Sequence, residues 1–457
     1  MSTRHRCRHF HPQIRPFRTR HQRCDIARKS SRIAYDDTSL WSLRPVHPTP
    51  NQRRRYATST DVPKVLINDM DNQELVVDFH SGEAIRYPSF WLRDHCPCAE
   101  CQHPQTHQRQ IDTFSIDPDI KVATVNSSPE GLDVTWAEPG SEHKSLYPWS
   151  WLEEHAPFPT TTNPPRDRRD WQHVPPSSKS YPSVTFGAVM NQSDPSGLKT
   201  FLSQIQTYGF TFIPSTPPTP EATQSLVERI SHIRATHYGG FWDFTSEVNP
   251  IDTAYTTLPL DLHTDTTYFT DPAGLQLFHL LSHTSSESDS LPGQGGESTF
   301  SDGFAAASHL YATAPDLYRT LSAHPIVFGA QGAPVGSFFN ITTSPGHPVL
   351  THHPNTKPHP SNLRQIRWNN SDRVANTTFP NHGTMKHWYR AAKAWSAVLA
   401  SPQFLVTVKL QPGCPVIFDN WRVLHGRLGF EGKRRVCGAY VGMDDFRARC
   451  RSLGITV

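Results

Sequence analysis

A mainly β fold with flanking helices is what this 457-residue sequence predicts, and three observations predict it. Short alternating apolar runs bounded by Gly, Pro, Asn and Asp recur along most of the chain. Forty-one prolines favour loops and a β framework over a helical bundle. Strands arrive in runs, with helical spacing only in places, and this is not the strict βα alternation of a parallel sheet.

Residues 1–58 carry fourteen Lys and Arg against three acids, Asp25, Asp36 and Asp37. An Arg-rich, acid-poor leader with no apolar core is the pattern of a mitochondrial transit peptide, and RRRYATS (53–59) is a plausible processing neighbourhood. A disordered basic tail or a nucleic-acid arm is the competing reading. Without this segment thirty Lys and Arg face thirty-eight Asp and Glu. The body is therefore mildly acidic, which disfavours nucleic acid as its partner. No apolar run reaches the roughly 18–20 residues of a membrane span. The eight cysteines are uneven (Cys7 and Cys24; Cys96, Cys98 and Cys101; Cys414, Cys437 and Cys450), unlike a disulfide framework, so reduced thiols are expected.

Residues 64–157 form the first expected unit, a small antiparallel domain built from runs such as LVVDFH (75–80), IKVATV (120–125) and GLDVTWA (131–137). Prolines between 158 and 183 mark a linker. The second unit spans 184–457. Leu198, Phe201, Leu202 and Ile205 keep helical spacing until Tyr208-Gly209 breaks it, and FTFIP follows as a strand. Leu226, Val227, Ile230 and Ile233 predict a second helix. Strands are expected at 275–281, through ESTFSDGF, at 415–420 and at 434–441, with helices near 303–322 and 384–400. The Gly-, Pro- and His-rich stretch 328–362 looks like a long loop or insertion. No internal repeat is apparent.

In DLHTDTTYF (261–269), His263 and Asp265 stand two apart in a run of β-formers, where i and i+2 side chains leave on one face of a strand. His425, in FDNWRVLHGR, is the economical third ligand. Two histidines and one carboxylate leave positions open for a co-substrate and dioxygen on Fe(II); a hydrolytic zinc is the chemical competitor. Arg434, at the head of a strand, favours iron, because its fork binds a dicarboxylate co-substrate end-on. Arg435 is the fallback on the opposite face.

DLHTDTTYF, DGF (302–304), IRWNN (366–370) and FDNWRVLHGRLGFEGKRRVCGAYVGMDD (418–445) closely resemble the trimethyllysine and γ-butyrobetaine dioxygenase family. That resemblance implies a double-stranded β-helix (jelly-roll, clavaminate synthase-like/TauD-like) catalytic domain behind a small β-rich zinc-binding domain. It implies Fe(II) on His263, Asp265 and His425, the distal carboxylate of 2-oxoglutarate on Arg434 with Ser298, and ascorbate as reductant. Cys96, Cys98 and Cys101 suit a tetrahedral Zn(II). The family's fourth ligand corresponds to His143; His95, His103 and His107 are nearer alternatives.

A quaternary ammonium has no N–H to donate and is recognised by aromatic faces. By resemblance Tyr238, Trp242, Tyr255 and Tyr440 form that cage. Where the butyrobetaine branch has an asparagine, this chain has Asp252, whose charge attracts the α-ammonium of trimethyllysine and repels a lone carboxylate; Asn369 serves the substrate carboxylate. The expected activity is trimethyllysine C3 hydroxylation in the mitochondrial matrix by a homodimer. γ-Butyrobetaine hydroxylation and a non-catalytic methyl-lysine binding module are the rivals.

Overall fold

Alternation along the strands of residues 184–457 sorts side chains onto two faces of two sheets, and the inward faces build one core. The structure is a computed structural model describing residues 63–69, 73–79, 84–138, 141–155, 157, 168, 169, 171, 181–246, 256–330, 341–343, 345–354, 356–375 and 377–457. Residues 1–58, most of the 158–183 segment, Asp252 and Tyr255 lie outside them. The chain divides into two units between Phe158 and Pro159.

The larger unit holds a five-stranded sheet in the order Phe210–Phe212, Val416–Asp419, Leu275–Thr284, Lys433–Val441, Trp242–Thr245. A four-stranded sheet follows the order Leu405–Val408, Ser298–Asp302, Val423–Arg427, Leu260–His263. All pairings are antiparallel. Phe210, Leu280, Val416, Phe418 and Val436 of the first sheet share one buried cluster with Phe300, Val406 and Val423 of the second. The intervening residues Leu275, Leu277, Ile417, Ala439 and Val441 point outward against the helices Ser196–Tyr208, Pro220–Glu228 and Met443–Ser452. On the other side Leu424 packs with the helices Gly303–Thr313, Pro315–Ala323 and His382–Leu399. This is the helix-flanked jelly roll that the sequence predicts.

Local chemistry sets several element ends. Gly209 closes the helix Ser196–Tyr208 at φ +81°, its N–H donating to the Ile205 carbonyl, the left-handed stop that glycine adopts without a Cβ penalty. Asp302 caps the helix Gly303–Thr313 by accepting from the N–H groups of Phe304 and Ala305. The helical region expected near 303–322 holds two helices, the second begun by Pro315.

Three expectations need correction. The helix carrying Leu226 and Val227 stops at Glu228, and Ile230 and Ile233 reach the same cluster from the turn beyond it; apolar spacing marks a face and does not mark an end. The described part of 328–362 is not simply a loop: Gly329–Ala330 pairs with Ile341–Thr342, and Leu350–His352 with Leu363–Ile366. Buried Phe328, Val349 and Leu350 anchor it to the core, and strands this short leave no period to read.

The third correction is an internal repeat in the smaller unit. Strands Lys64–Asp69, Glu74–Asp78 and Ala84–Pro88 form one antiparallel meander, and Lys121–Ser127, Gly131–Glu138 and Ser141–Pro148 a second. Each runs into a six-residue helix, Ser89–Asp94 and Trp149–Glu154. The junctions read YPSFWLRDH (87–95) and YPWSWLEEH (147–155). Tyr87 donates to the Leu152 carbonyl and Tyr147 to the Leu92 carbonyl, each at 2.6 Å. Trp91 stacks on His95 and Trp151 on His155, and the two indoles are 5.7 Å apart. The strands of the two halves share little sequence, which is why the repeat is hard to see in the chain.

Candidate metal centre and its cavity

The first site starts from strand register. His425 sits directly opposite His263 across an antiparallel pair, so both imidazoles leave on one face, with ring centroids 4.3 Å apart. Asp265 is not on that strand. The strand ends at His263, and Asp265 lies in the turn after it, so i, i+2 alternation along a strand, as expected from DLHTDTTYF, does not place its carboxylate. Asn420 builds the position instead: its Oδ1 accepts from the Asp265 N–H at 2.8 Å and its Nδ2 donates to the Asp265 carbonyl at 3.1 Å. The neighbouring Thr266 holds φ +55°, a region a β-branched residue enters only when its surroundings over-determine it.

The Asp265 Oδ1 atom is 3.2 Å from His263 Nε2 and 3.6 Å from His425 Nε2. Two ligand atoms at right angles, each about 2.1 Å from one ion, are about 3 Å apart, so the donor set fits a single cation. His263 Nδ1 lies 2.7 Å from the Asp261 carbonyl, which makes it the protonated nitrogen and leaves Nε2 as the lone-pair donor. Burial, with His263 beside it, pushes the His425 pKa down to about 3, keeping that ring neutral. Burial opposes ionisation of Asp265, but His425, His263 and the Tyr440 hydroxyl together hold its carboxyl well below the usual range.

A cavity of ≈ 450 Å³ opens onto these three residues. Arg434 and Ser298 line it, as do Tyr238, Trp242, Tyr440 and Asn369. Arg434 is 7% exposed, and its Nε has no hydrogen-bond partner among the described residues. Arg435 is spent on the other face in a forked pair with Asp243, at 2.9 and 2.6 Å. Trp242 lies opposite Gly438, where a Cβ would come 2.4 Å from the indole; glycine there lets the ring lie across the strand. Tyr440 is 6.3 Å from Trp242 by ring centroid, and its hydroxyl also donates to Asp265 Oδ2 at 2.6 Å. Asn369 Oδ1 accepts from the Ser371 N–H, which turns the amide nitrogen into the end left for a ligand.

Sequence reasoning missed several residues here. Gln276 donates to Asp265 Oδ2, Arg427 lines the cavity beside Arg434, and Tyr268 and Phe278 extend the aromatic wall. The signal for Gln276 was a single amide inside the apolar run LQLFHLL.

The second cluster joins Cys96, Cys98 and Cys101 to His143, all four donor atoms within 4.8 Å of one another. The His143 Nε2 atom lies 3.3, 3.7 and 3.5 Å from the three sulfurs; a thiolate and an imidazole on one tetrahedral zinc are about 3.6 Å apart. His143 comes from the strand Ser141–Pro148 of the second half-repeat. His95 is taken up by Trp91, and His103 Nδ1 by the N–H groups of Gln105 and Thr106. Arg93 and Ser145 donate to Cys101 and Cys96, which offsets thiolate charge. Burial pushes the Cys101 thiol up to about 12.

Two imidazoles on the inner wall of an antiparallel jelly roll, with one carboxylate from the turn beside them, define a mononuclear non-haem iron oxygenase scaffold. The family model described as "Taurine catabolism dioxygenase TauD, TfdA family" matches residues 172–440, and "Gamma-butyrobetaine hydroxylase-like, N-terminal" matches residues 66–153. The chain belongs to the TauD, TfdA dioxygenase family. It is 38% identical over 444 residues to the trimethyllysine dioxygenase of Neurospora crassa, covering 89% of each chain. Over 400 residues it is 38% identical to the mouse protein named "Trimethyllysine dioxygenase, mitochondrial", covering 88% of this chain and 90% of that one. A γ-butyrobetaine dioxygenase from a Pseudomonas strain is more distant, 30% identical over 377 residues, 82% of this chain and 92% of its own.

Proposed function

We infer that the protein hydroxylates N6,N6,N6-trimethyl-L-lysine at C3 with 2-oxoglutarate and O2, forming 3-hydroxy-N6-trimethyllysine, succinate and CO2, the first step of carnitine biosynthesis. The observation that carries this reading is one cavity that combines a three-donor cluster, a buried arginine with no carboxylate partner among the described residues and an aromatic wall. Relatives at 36–38% identity that are trimethyllysine dioxygenases support the substrate.

His263, Asp265 and His425 would hold Fe(II). Bound there, the ion supplies dioxygen activation driven by the oxidative decarboxylation of 2-oxoglutarate. The chain itself supplies placement. The Arg434 fork and the Ser298 hydroxyl take the distal carboxylate of 2-oxoglutarate. Tyr238, Trp242 and Tyr440, with Tyr255 outside the described residues, offer ring faces to the trimethylammonium. Asn369 donates to the substrate carboxylate, and Asp252, also outside the described residues, takes the α-ammonium. Anchored at both ends, the substrate can present only a short span of carbon to the metal. Ascorbate would keep the iron reduced.

The domain reading follows the same division: a leader at 1–58, a zinc-binding unit at 64–157, a linker at 158–183 and the oxygenase at 184–457. Zinc on Cys96, Cys98, Cys101 and His143 would be structural, since four protein ligands leave no open position. The basic leader, with relatives named mitochondrial, supports a matrix address, and a homodimer is the proposed assembly, checked by light scattering. No helix of the described residues is long and apolar enough to cross a membrane.

The test is anaerobic addition of Fe(II) and 2-oxoglutarate, followed by O2 with either substrate while succinate is measured. Trimethyllysine-coupled succinate is expected. Coupling to γ-butyrobetaine alone overturns the substrate, and no coupling to either favours a binding module.

A further inference from the structure

This inference rests on the iron reading above. We propose that Gln276 and Tyr440 are positioning residues that hold Asp265 to metal ligation through Oδ1 alone. The carboxylate is divided between two tasks. Its Oδ1 faces both imidazole Nε2 atoms. Its Oδ2 receives the Gln276 amide N–H and the Tyr440 hydroxyl, each at 2.6 Å, and hydrogen bonds to an ionised carboxylate are the strong ones. Two donors match in number the two lone pairs that a carboxylate oxygen offers.

Register explains why both donors reach one atom. Gln276 and Tyr440 are directly paired across the antiparallel strands Leu275–Thr284 and Lys433–Val441, so their side chains leave the same face side by side. Gln276 is 1% exposed and its Oε1 has no hydrogen-bond partner among the described residues. An apolar residue would fill this inward strand position without leaving a buried carbonyl unsatisfied. The amide is therefore retained for its N–H, and that N–H points at Asp265. The main chain of Asp265 is fixed independently by Asn420, which leaves carboxylate rotation as the remaining freedom.

The consequence concerns ligand count. With Oδ2 occupied, Asp265 takes one position on an ion. Released, it can close onto the ion through both oxygens and take a position that the two oxygens of a chelating 2-oxo acid need. The pair thus protects co-substrate binding, and Tyr440 does this while also facing the aromatic wall.

The test uses full-length, metal-stripped protein and Mn(II), a hard ion ill-suited to the thiolate cluster. Mn(II) affinity is read from the electron paramagnetic resonance of the free ion. The 2-oxoglutarate Kd is then read by calorimetry at saturating Mn(II) for wild type, Gln276→Leu, Tyr440→Phe and the double variant. A rise in that Kd of about tenfold or more in the double variant is expected, in line with the usual effect of outer-shell partners. A Kd within about twofold of wild type overturns the proposal. A purely structural role instead lowers the melting temperature of the metal-free protein and leaves the Kd unmoved. The His263→Ala variant separates the two levels: if it takes up Mn(II) as wild type does, the iron reading itself fails.

Discussion

Replacing Arg434 with methionine separates the cost of a buried cation from its use. Among the described residues Arg434 has no carboxylate partner; its guanidinium lies 5.8 Å from the Phe430 ring. Burial, with Arg427 close by, pulls its pKa down to about 10. Set against 12.5, that is a cost to the cation of about 3 kcal/mol. Methionine keeps the apolar stem and removes the charge. The ligand-free variant should melt about 2–8 °C higher, the range expected when a buried charge gives way to an apolar side chain. Binding moves the other way. Losing a forked, charge-assisted contact worth about 3 kcal/mol raises the KM for 2-oxoglutarate about 100-fold. Thermal melts without co-substrate and steady-state succinate formation check both arms. A variant that melts lower and uses 2-oxoglutarate as well as wild type refutes the reasoning.

Trp242→Leu removes the broadest ring of the wall, and a cation–π loss of about 1–2 kcal/mol raises the KM for trimethyllysine about 5–30-fold; a KM change confined to 2-oxoglutarate would contradict this. Cys98→Ser breaks the tetrahedral set, so metal analysis should find zinc lost and iron retained, with the early part of the thermal transition shifted down. Asp302→Ala strands the buried Arg422, whose Nε and Nη2 lie 3.1 and 2.8 Å from the Asp302 oxygens, and also removes the cap of the helix Gly303–Thr313. That should cost about 3–5 kcal/mol in denaturant unfolding, with no direct effect on metal affinity.

Much of this molecule is written locally. Period-2 runs mark the strands, Tyr208-Gly209 marks a helix end, and His263, Asp265, His425 and Arg434 announce their chemistry by residue type, because ligation and fork-to-carboxylate pairing depend on the side chain itself. The cysteine trio is legible for the same reason. What no local pattern determines is which face each residue meets and who stands opposite. His425 joins His263 through antiparallel register, and a slip of one residue would send the imidazole to the other side of the sheet. Asp265 reaches them from a turn held by Asn420, and its second oxygen is claimed by Gln276 and Tyr440 from two strands far apart in sequence. Residue chemistry is a property of the chain. Donor geometry is a property of long-range pairing, whose free energy is shared among side chains that no short window of sequence contains together.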